Sequence, residues 1–500
     1  MYGDGQSDGP VVPANLLNKA AAVVAAAEVG EGRGPAKGNT DSETSAGRGA
    51  GDQVSSGLGR VREVARRDGR ARFTALLHHV GRGRLGRAYR ELNARASAGV
   101  DEVTWQEYGQ RLETNLVDLH ARVQQGRYRA VPARRAYIPK ADGGLRPLGI
   151  ASLEDKVVQR AVVEVLNAVY EEDFKNFSYG FRPGRGPHQA LDALSVGITS
   201  RRVNWVLDAD ISDFFGSLDH GWLRKFLGHR IADPRVLRLI DRWLTVGVVE
   251  NGRWTASERG SPQGASLSPL LANVFLHYVF DLWADHWRRT RADGDVVIVR
   301  YADDFVVGFE HEREARQFLA GLRDRFARFG LELHPGKTRL IEFGRHAARH
   351  RAGRGDGKPD TFDFLGFTHI CAKSRRSGAF WVKRITIAKR MRAKLHQVKA
   401  ELQVRRHLPL QEQGRWLRRV VQGHLNHYAV PGNWSAVRQF RTQLTRHWLR
   451  SLRRRSQRGR RLTWAKMNEY VNRWLPPVRI LHPFPNVRLA ARTQGRSPVR

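Results

Sequence analysis

Val296-Val-Ile-Val-Arg-Tyr-Ala-Asp-Asp-Phe-Val-Val-Gly308 is the stretch on which the fold turns. Two apolar, β-branched runs, 296–301 and 305–308, flank only Ala302-Asp303-Asp304, so the sequence predicts a hairpin with two carboxylates at its tip. An unpaired carboxylate between such apolar flanks is costly. A further strand-like run, Trp205-Val-Leu-Asp-Ala-Asp210, ends on a third acid. Carboxylates about 4 Å apart repel by roughly 4 kcal/mol at an effective dielectric near 20, and a divalent cation relieves that repulsion. Asp210, Asp303 and Asp304 are therefore the candidate catalytic set, and their hard oxygens suit Mg²⁺. Two such ions about 4 Å apart can activate a 3′-hydroxyl and stabilise a leaving pyrophosphate. Either motif alone also fits an ordinary turn; their order and the residues around them set them apart.

Outward from the hairpin, an amphipathic helix (Ala315, Phe318, Leu319, Leu322, Phe326) stops at Gly330, and strand-like runs follow at 331–333 and 339–343. Strand, helices, hairpin, helix, strand is the order of a split βαβ sheet with helices on one face. Upstream, helical periodicity begins at Phe73, Leu76, Leu77 and Val80 and continues to about Tyr128, and a dense apolar helix is expected at 153–174. Downstream, Phe364-Leu-Gly-Phe-Thr-His-Ile370 and Ala379-Phe-Trp-Val-Lys383 predict another hairpin. Beyond about 385 three apolar stripes at helical spacing predict an all-α region, running from Ile387 to Leu402, Trp416 to Tyr428 and Val437 to Leu452. The Gly-, Ala- and Ser-rich residues 1–58 read as a disordered tail.

The charge is one-sided. Of the formal +37, residues 371–500 carry 32 Lys and Arg against Glu401, Glu412 and Glu469, a net of +29; residues 1–370 carry only +8. A GC-rich genome explains arginine over lysine but not the missing acids. A field of this kind destabilises a compact fold unless a polyanion shares it, which points to nucleic acid. No run of 18 or more uncharged apolar residues exists, so no membrane partner is expected. The single cysteine, Cys371, excludes an intramolecular disulfide and any paired-cysteine zinc site, as suits a reducing cytosol.

With these residues in order, the chain resembles the reverse transcriptases, and most closely those encoded within group II introns. Tyr301-Ala-Asp-Asp304 resembles the family's YxDD box, and Asp210-Ile-Ser-Asp-Phe-Phe215 the motif that supplies the first metal-binding aspartate. Gly260-Ser-Pro-Gln-Gly264, followed by 266–273, resembles the nucleotide-binding box. Ile138-Pro-Lys-Ala-Asp-Gly-Gly-Leu-Arg-Pro-Leu-Gly-Ile150 and Ser178-Tyr-Gly-Phe-Arg-Pro183 match fingers segments; Gly336-Lys-Thr338 and Phe364-Leu-Gly-Phe367 match the last palm motifs.

The resemblance implies an α+β right-hand polymerase followed by an all-α thumb and maturase region. Its expected divisions are a tail (1–58), a helical extension (59–130), fingers and palm (131–370), thumb and maturase helices (371–480) and a basic tail (481–500). It implies two Mg²⁺ ions held by Asp210, Asp303 and Asp304 with the Ile211 backbone carbonyl. Lys140, Arg146, Gln263, Gly264 and Lys337 would bind the nucleotide, and Phe215 would crowd the sugar C2′ and so exclude a 2′-hydroxyl. Phe214, its neighbour, is expected in the core by strand alternation. Gly216 departs from the family, where a second Asp is common. Arg182, Arg438, Arg441, Arg446, Arg450, Arg453, Arg454 and Arg455 are the candidate RNA contacts, while His78, His79, His346 and His350 read as surface histidines. The implied partners are a group II intron RNA, spliced with the protein's help and copied in retrohoming, a DNA primer or target, and dNTPs; the implied place is the cytoplasm, beside the nucleoid. An HNH endonuclease, common in relatives, has no paired cysteines to build on here. Two rival readings are an intron-independent reverse transcriptase in defence, diversification or repair, and a splicing-only RNA-binding cofactor.

Overall fold

A computed structural model describes residues 51–139, 144–374 and 377–493. Lys140, most of the expected N-terminal tail and the end of the basic C-terminal tail lie outside the described residues.

The strands, in chain order, begin with β1 (Ala133–Pro139), β2 (Leu145–Ile150) and β3 (Trp205–Ala209). The short β4 (Val248–Glu250) and β5 (Arg253–Thr255) come next, then β6 (Val296–Tyr301), β7 (Asp304–Phe309) and β8 (Arg339–Glu342). β9 (Phe362–Phe364), β10 (Phe367–Lys373) and β11 (Phe380–Thr386) precede the C-terminal helices.

The chain divides into two compact units. Of the described residues, the first comprises 51–64, 72–139, 144–168 and 231–268. Its sheet runs β2-β1-β4-β5, with β1 antiparallel to β2 and parallel to β4. Beneath it Asp155 accepts from the Tyr128 hydroxyl and, at 3.1 Å, from Trp243 Nε1, so this buried carboxylate is satisfied entirely by protein donors. Gly149 N donates to the Gln263 carbonyl at 2.7 Å, and a Cβ on Gly264 (φ +106°) would stand 3.0 Å from the Gly149 carbonyl oxygen. The 262–264 turn thus lies against β2 so closely that only glycine fits.

The second unit holds, of the described residues, 65–71, 169–230, 269–374 and 377–493. Its main sheet is antiparallel with order β6-β7-β3-β8. The first and second strands in sequence, β3 and β6, are separated by the third, β7, which is the split βαβ arrangement. Val206, Val297, Val299, Val306 and Ile341 from this sheet pack with Leu191, Leu194 and Ile198 of the helix Pro187–Ser200. After β11, helices Ala388–Val404, Leu410–Tyr428, Trp434–Arg453 and Trp464–Trp474 enclose a separate core around Leu402, Leu417, Val421, Phe440, Leu444 and Trp448. Trp448 Nε1 donates to Gln413 Oε1 at 3.0 Å, giving the buried indole its partner. No helix among the described residues is long and apolar enough to cross a membrane.

Several sequence expectations are corrected. A helix, Gly51–Arg67, begins inside the expected tail 1–58. The Phe73–Val80 periodicity is not an α-helix: Phe73 bridges to Ile231 and only Leu77–His79 turn, as a 3₁₀ helix. The buried Asp233 carboxylate takes the backbone N–H groups of Leu76 (2.8 Å) and Leu77 (3.0 Å), which diverts the chain from helix. Of the run 331–333, only Leu333 pairs, bridging to Ile211. The run 364–370 is broken by a two-residue turn at Leu365 (φ +47°) and Gly366 (φ +90°), which makes β9 and β10 a hairpin of their own. The expected palm–thumb division at 370/371 therefore falls within β10, and helices start at Ala388.

Candidate active site

β3 and β7 pair in register through Ala209↔Phe305, so the next step of the ladder sets Asp210 opposite Asp304. Residues facing each other across antiparallel strands stand about 4.5–5.5 Å apart at Cα. The β6–β7 hairpin closes on Tyr301↔Asp304, leaving Ala302 and Asp303 as its loop. All three aspartates thus meet at one end of one sheet. On the other side of Asp210, His334 N donates to the Asp210 carbonyl and Ser212 N to the Glu332 carbonyl, both at 2.8 Å. Since peptide directions alternate along an extended chain, this turns the Ile211 carbonyl to the opposite edge, the side of β7.

Burial at the sheet end, then the neighbouring Asp303 and Asp210 carboxylates, push the Asp304 carboxyl up to about 7. The residue's surface remains open to solvent. The two like charges are therefore the part of that shift a cation would reverse. Two residues before Asp210, and so on its face of β3, burial also pushes Asp208 up to about 6, although Arg339 stands 3.6 Å away. Among the described residues no group of three or more acid, histidine or cysteine side chains is drawn together tightly enough to hold a metal ion. Instead Asp210 Oδ2 is turned onto Lys337 Nζ at 2.6 Å, a pair open to solvent on the lysine side.

The turn at Ala302-Asp303 is held by a network that sequence reasoning missed. Arg300, in β6, is fully buried and forks onto the equally buried Asp281 at 2.6 and 2.7 Å. Its other nitrogen donates to Asn273 Oδ1 at 3.0 Å and to the Ala302 carbonyl at 2.9 Å. Asn273 Nδ2 in turn donates to the Gly180 carbonyl at 2.8 Å. Segment 177–180 bridges to the edge of β6, with Tyr179 N donating to the Arg300 carbonyl and Arg300 N to that of Phe177. A Cβ on Gly180 would collide with the backbone of Ala302. The one hint in the sequence was an arginine inside an otherwise apolar strand, a position that demands a buried counter-charge.

Strain gathers here. Of six non-glycine residues with positive φ among the described residues, Phe181 (+57°), Asp213 (+37°) and Ala302 (+57°) lie in these motifs. Such conformations cost about 1–3 kcal/mol each and persist where the surroundings over-determine them. Asp213 also explains Gly216: its carboxylate fills the space that a Cβ at 216 would need.

The remaining expected site residues divide by unit. Arg146 is exposed on β2, and Gln263 and Gly264 form the turn described above; these belong to the first unit. Phe215 and Lys337 belong to the second. Phe214 is buried against Phe275 while Phe215 is half-buried, as expected, but the reason differs. The pair sits in a short helix, Phe214–Ser217, so successive side chains diverge by helical turn rather than by strand alternation. Arg182 is corrected outright. It is buried, forks onto Glu171 (3.0 Å) and donates to the Lys175 and Ser178 carbonyls, so it anchors its own loop and cannot meet RNA. Arg438, Arg446, Arg450 and Arg454 are exposed, Arg438 over the Trp434 ring. Arg441, Arg453 and Arg455 spend donors on the carbonyls of Pro476, Leu462 and Leu408, tying helix Trp434–Arg453 to its surroundings.

Residues 138–369 match the family described as reverse transcriptase (RNA-dependent DNA polymerase). The chain is 35% identical to Protein YkfC of Escherichia coli over 237 residues, 42% of this chain and 62% of that protein. It is 38% identical to the group II intron-encoded protein LtrA of Lactococcus lactis over 156 residues, 31% of this chain and 26% of that protein. It is 32% identical to Nuclear intron maturase 3, mitochondrial, of Arabidopsis thaliana over 130 residues, 26% of this chain and 18% of that protein. The chain thus spans about three fifths of the first relative and about a quarter or less of the others. The matched region, which holds Asp210, Asp303 and Asp304 at one sheet end, is therefore a reverse-transcriptase domain, and the chain is similar to group II intron-encoded proteins and intron maturases.

Proposed function

We propose that the protein is an RNA-directed DNA polymerase that binds a group II intron RNA, assists its splicing and copies it into DNA during retrohoming. The observation that carries this reading is the pairing of β3 with β7, which brings Asp210 to the hairpin bearing Asp303 and Asp304. Three carboxylates and the Ile211 carbonyl would form an all-oxygen donor set of the kind Mg²⁺ takes once Asp210 leaves Lys337, and their mutual repulsion gives a cation something to relieve. A bound pair of Mg²⁺ ions would supply an activated 3′-hydroxyl and charge neutralisation at the leaving pyrophosphate.

The chain's own part is positioning and electrostatics. Asp210, Asp303 and Asp304 hold the charge that fixes the reacting phosphate. Lys337 gives up Asp210 and offers its ammonium to the incoming triphosphate. Arg146, Gln263 and Gly264 we carry as nucleotide-binding residues of the first unit, and Arg438, Arg446, Arg450 and Arg454 as phosphate contacts for RNA. Phe215, half-buried beside the buried Phe214, excludes the ribose 2′-hydroxyl. Phe215→Ala should raise incorporation of ribonucleotides relative to deoxynucleotides by roughly 10- to 100-fold, read from the ratio of kcat/KM values; an unchanged ratio removes Phe215 from sugar selection.

Extension of oligo(dT) on poly(rA) with Mg²⁺ tests the reading. Wild type should incorporate dTTP, and Asp303→Ala should not, while both bind structured RNA equally. A wild type that binds RNA but incorporates nothing leaves the splicing-only reading.

A further inference from the structure

Segment 177–182 carries an aromatic side chain that the core does not use. Phe181 is 44% exposed, and its ring centroid lies 6.4 Å from that of Tyr301, the residue that opens the catalytic turn. Its φ of +57° is a conformation that bulky L-residues rarely adopt. The neighbours on both sides impose it. Gly180 is pressed against Ala302, and its carbonyl is held by Asn273. Arg182 is pinned in the interior by Glu171 and two backbone carbonyls. Between these anchors the ring is turned outward at a fixed place beside Tyr301 instead of being buried. A large apolar face whose backbone is already immobilised loses little conformational freedom on meeting a ligand.

We propose that Phe181 is a nucleic-acid contact of the polymerase, packing its ring on the base-paired end of the primer–template duplex at the catalytic turn. This rests on the polymerase reading above and adds a residue to it. The ligand chemistry is an uncharged nucleobase or sugar face: with Arg182 spent internally on Glu171, what this segment turns toward the catalytic turn is a ring. Stacking of this kind tolerates any base, as a polymerase requires. The strained backbone then has a purpose, since it aims the ring where relaxation would withdraw it.

The test uses the full chain and a fluorescently labelled RNA–DNA primer–template, with equilibrium binding, melting temperature and steady-state extension measured on the same samples. Phe181→Gly removes the ring and relieves the positive φ, so it should melt at or above wild type. It should nevertheless bind the duplex roughly tenfold or more weakly, with the KM for dNTP unchanged. Phe181→Ala should lose binding similarly, and Phe181→Tyr should retain it. Wild-type duplex affinity in both the Gly and Ala variants overturns the proposal, as does a loss of binding that only follows a loss of melting temperature. A wild type that binds duplex but extends nothing overturns the polymerase reading instead, and the binding comparison still decides Phe181.

Discussion

Asp304→Asn should lower DNA synthesis by roughly 10³-fold or more while leaving the chain folded and its RNA affinity intact. The substitution keeps the shape of a side chain at the start of β7 and removes one of the charges that crowd the sheet end. It should also change how stability depends on pH. In the folded chain without bound cation the Asp304 carboxyl is raised from its ordinary value to about 7, so the folded state holds the proton more tightly than the unfolded one. Stability therefore falls as pH rises from about 4 through 7. In the Asn variant that part of the pH dependence disappears, so wild type should lose stability relative to the variant across this window. Denaturation midpoints at several pH values in the presence of a chelator read the difference. Parallel profiles for the two proteins would show that the charges at 210, 303 and 304 do not interact as described.

Arg300→Met should be the most destabilising single change near the site, by about 3–5 kcal/mol, because it strands the buried Asp281 carboxylate without a partner. Urea denaturation gives this directly. The double variant Arg300→Met, Asp281→Leu should recover much of the loss, since an apolar pair of similar volume replaces a buried ion pair at little or no cost. It should not recover synthesis. Arg300 also donates to the Ala302 carbonyl at 2.9 Å, and Ala302, at φ +57°, keeps a conformation that relaxes once that tie is gone. If the double variant regains both stability and full synthesis, the network supports the fold but does not aim the turn.

The hairpin was legible because its two runs are rich in β-branched residues with only Ala302-Asp303-Asp304 between them, a spacing that suits a tight turn. The meeting of Asp210 with Asp304 followed from element order, since a split βαβ sheet places its first and third strands side by side. What was not legible is whatever depends on a partner far away in the chain. Arg182 looks like any other arginine in a basic chain and Arg300 differs only in standing inside an apolar strand, yet one is matched to Glu171 and the other to Asp281, and both are buried. In the sequence alone Arg182 therefore reads as an RNA contact, and nothing names the partner of Arg300. Phe73–Val80 failed in the same way: the apolar spacing is helical, but Asp233, on a different segment, claims the backbone N–H groups that a helix would need to share. The split of 364–370 was local and could have been read, because Leu365-Gly366 is a two-residue pair ending in glycine between apolar strands.

Asp210, Asp303, Asp304 and the Ile211 carbonyl would together seat the metal ions. Crystals of the full chain grown with primer–template and Mn²⁺, measured at the manganese absorption edge, address it directly. The predicted result is anomalous density about 2.1 Å from carboxylate oxygens of Asp210 and Asp303, with Lys337 moved off Asp210. Density only elsewhere on the chain, with the Lys337–Asp210 pair still closed, would contradict it.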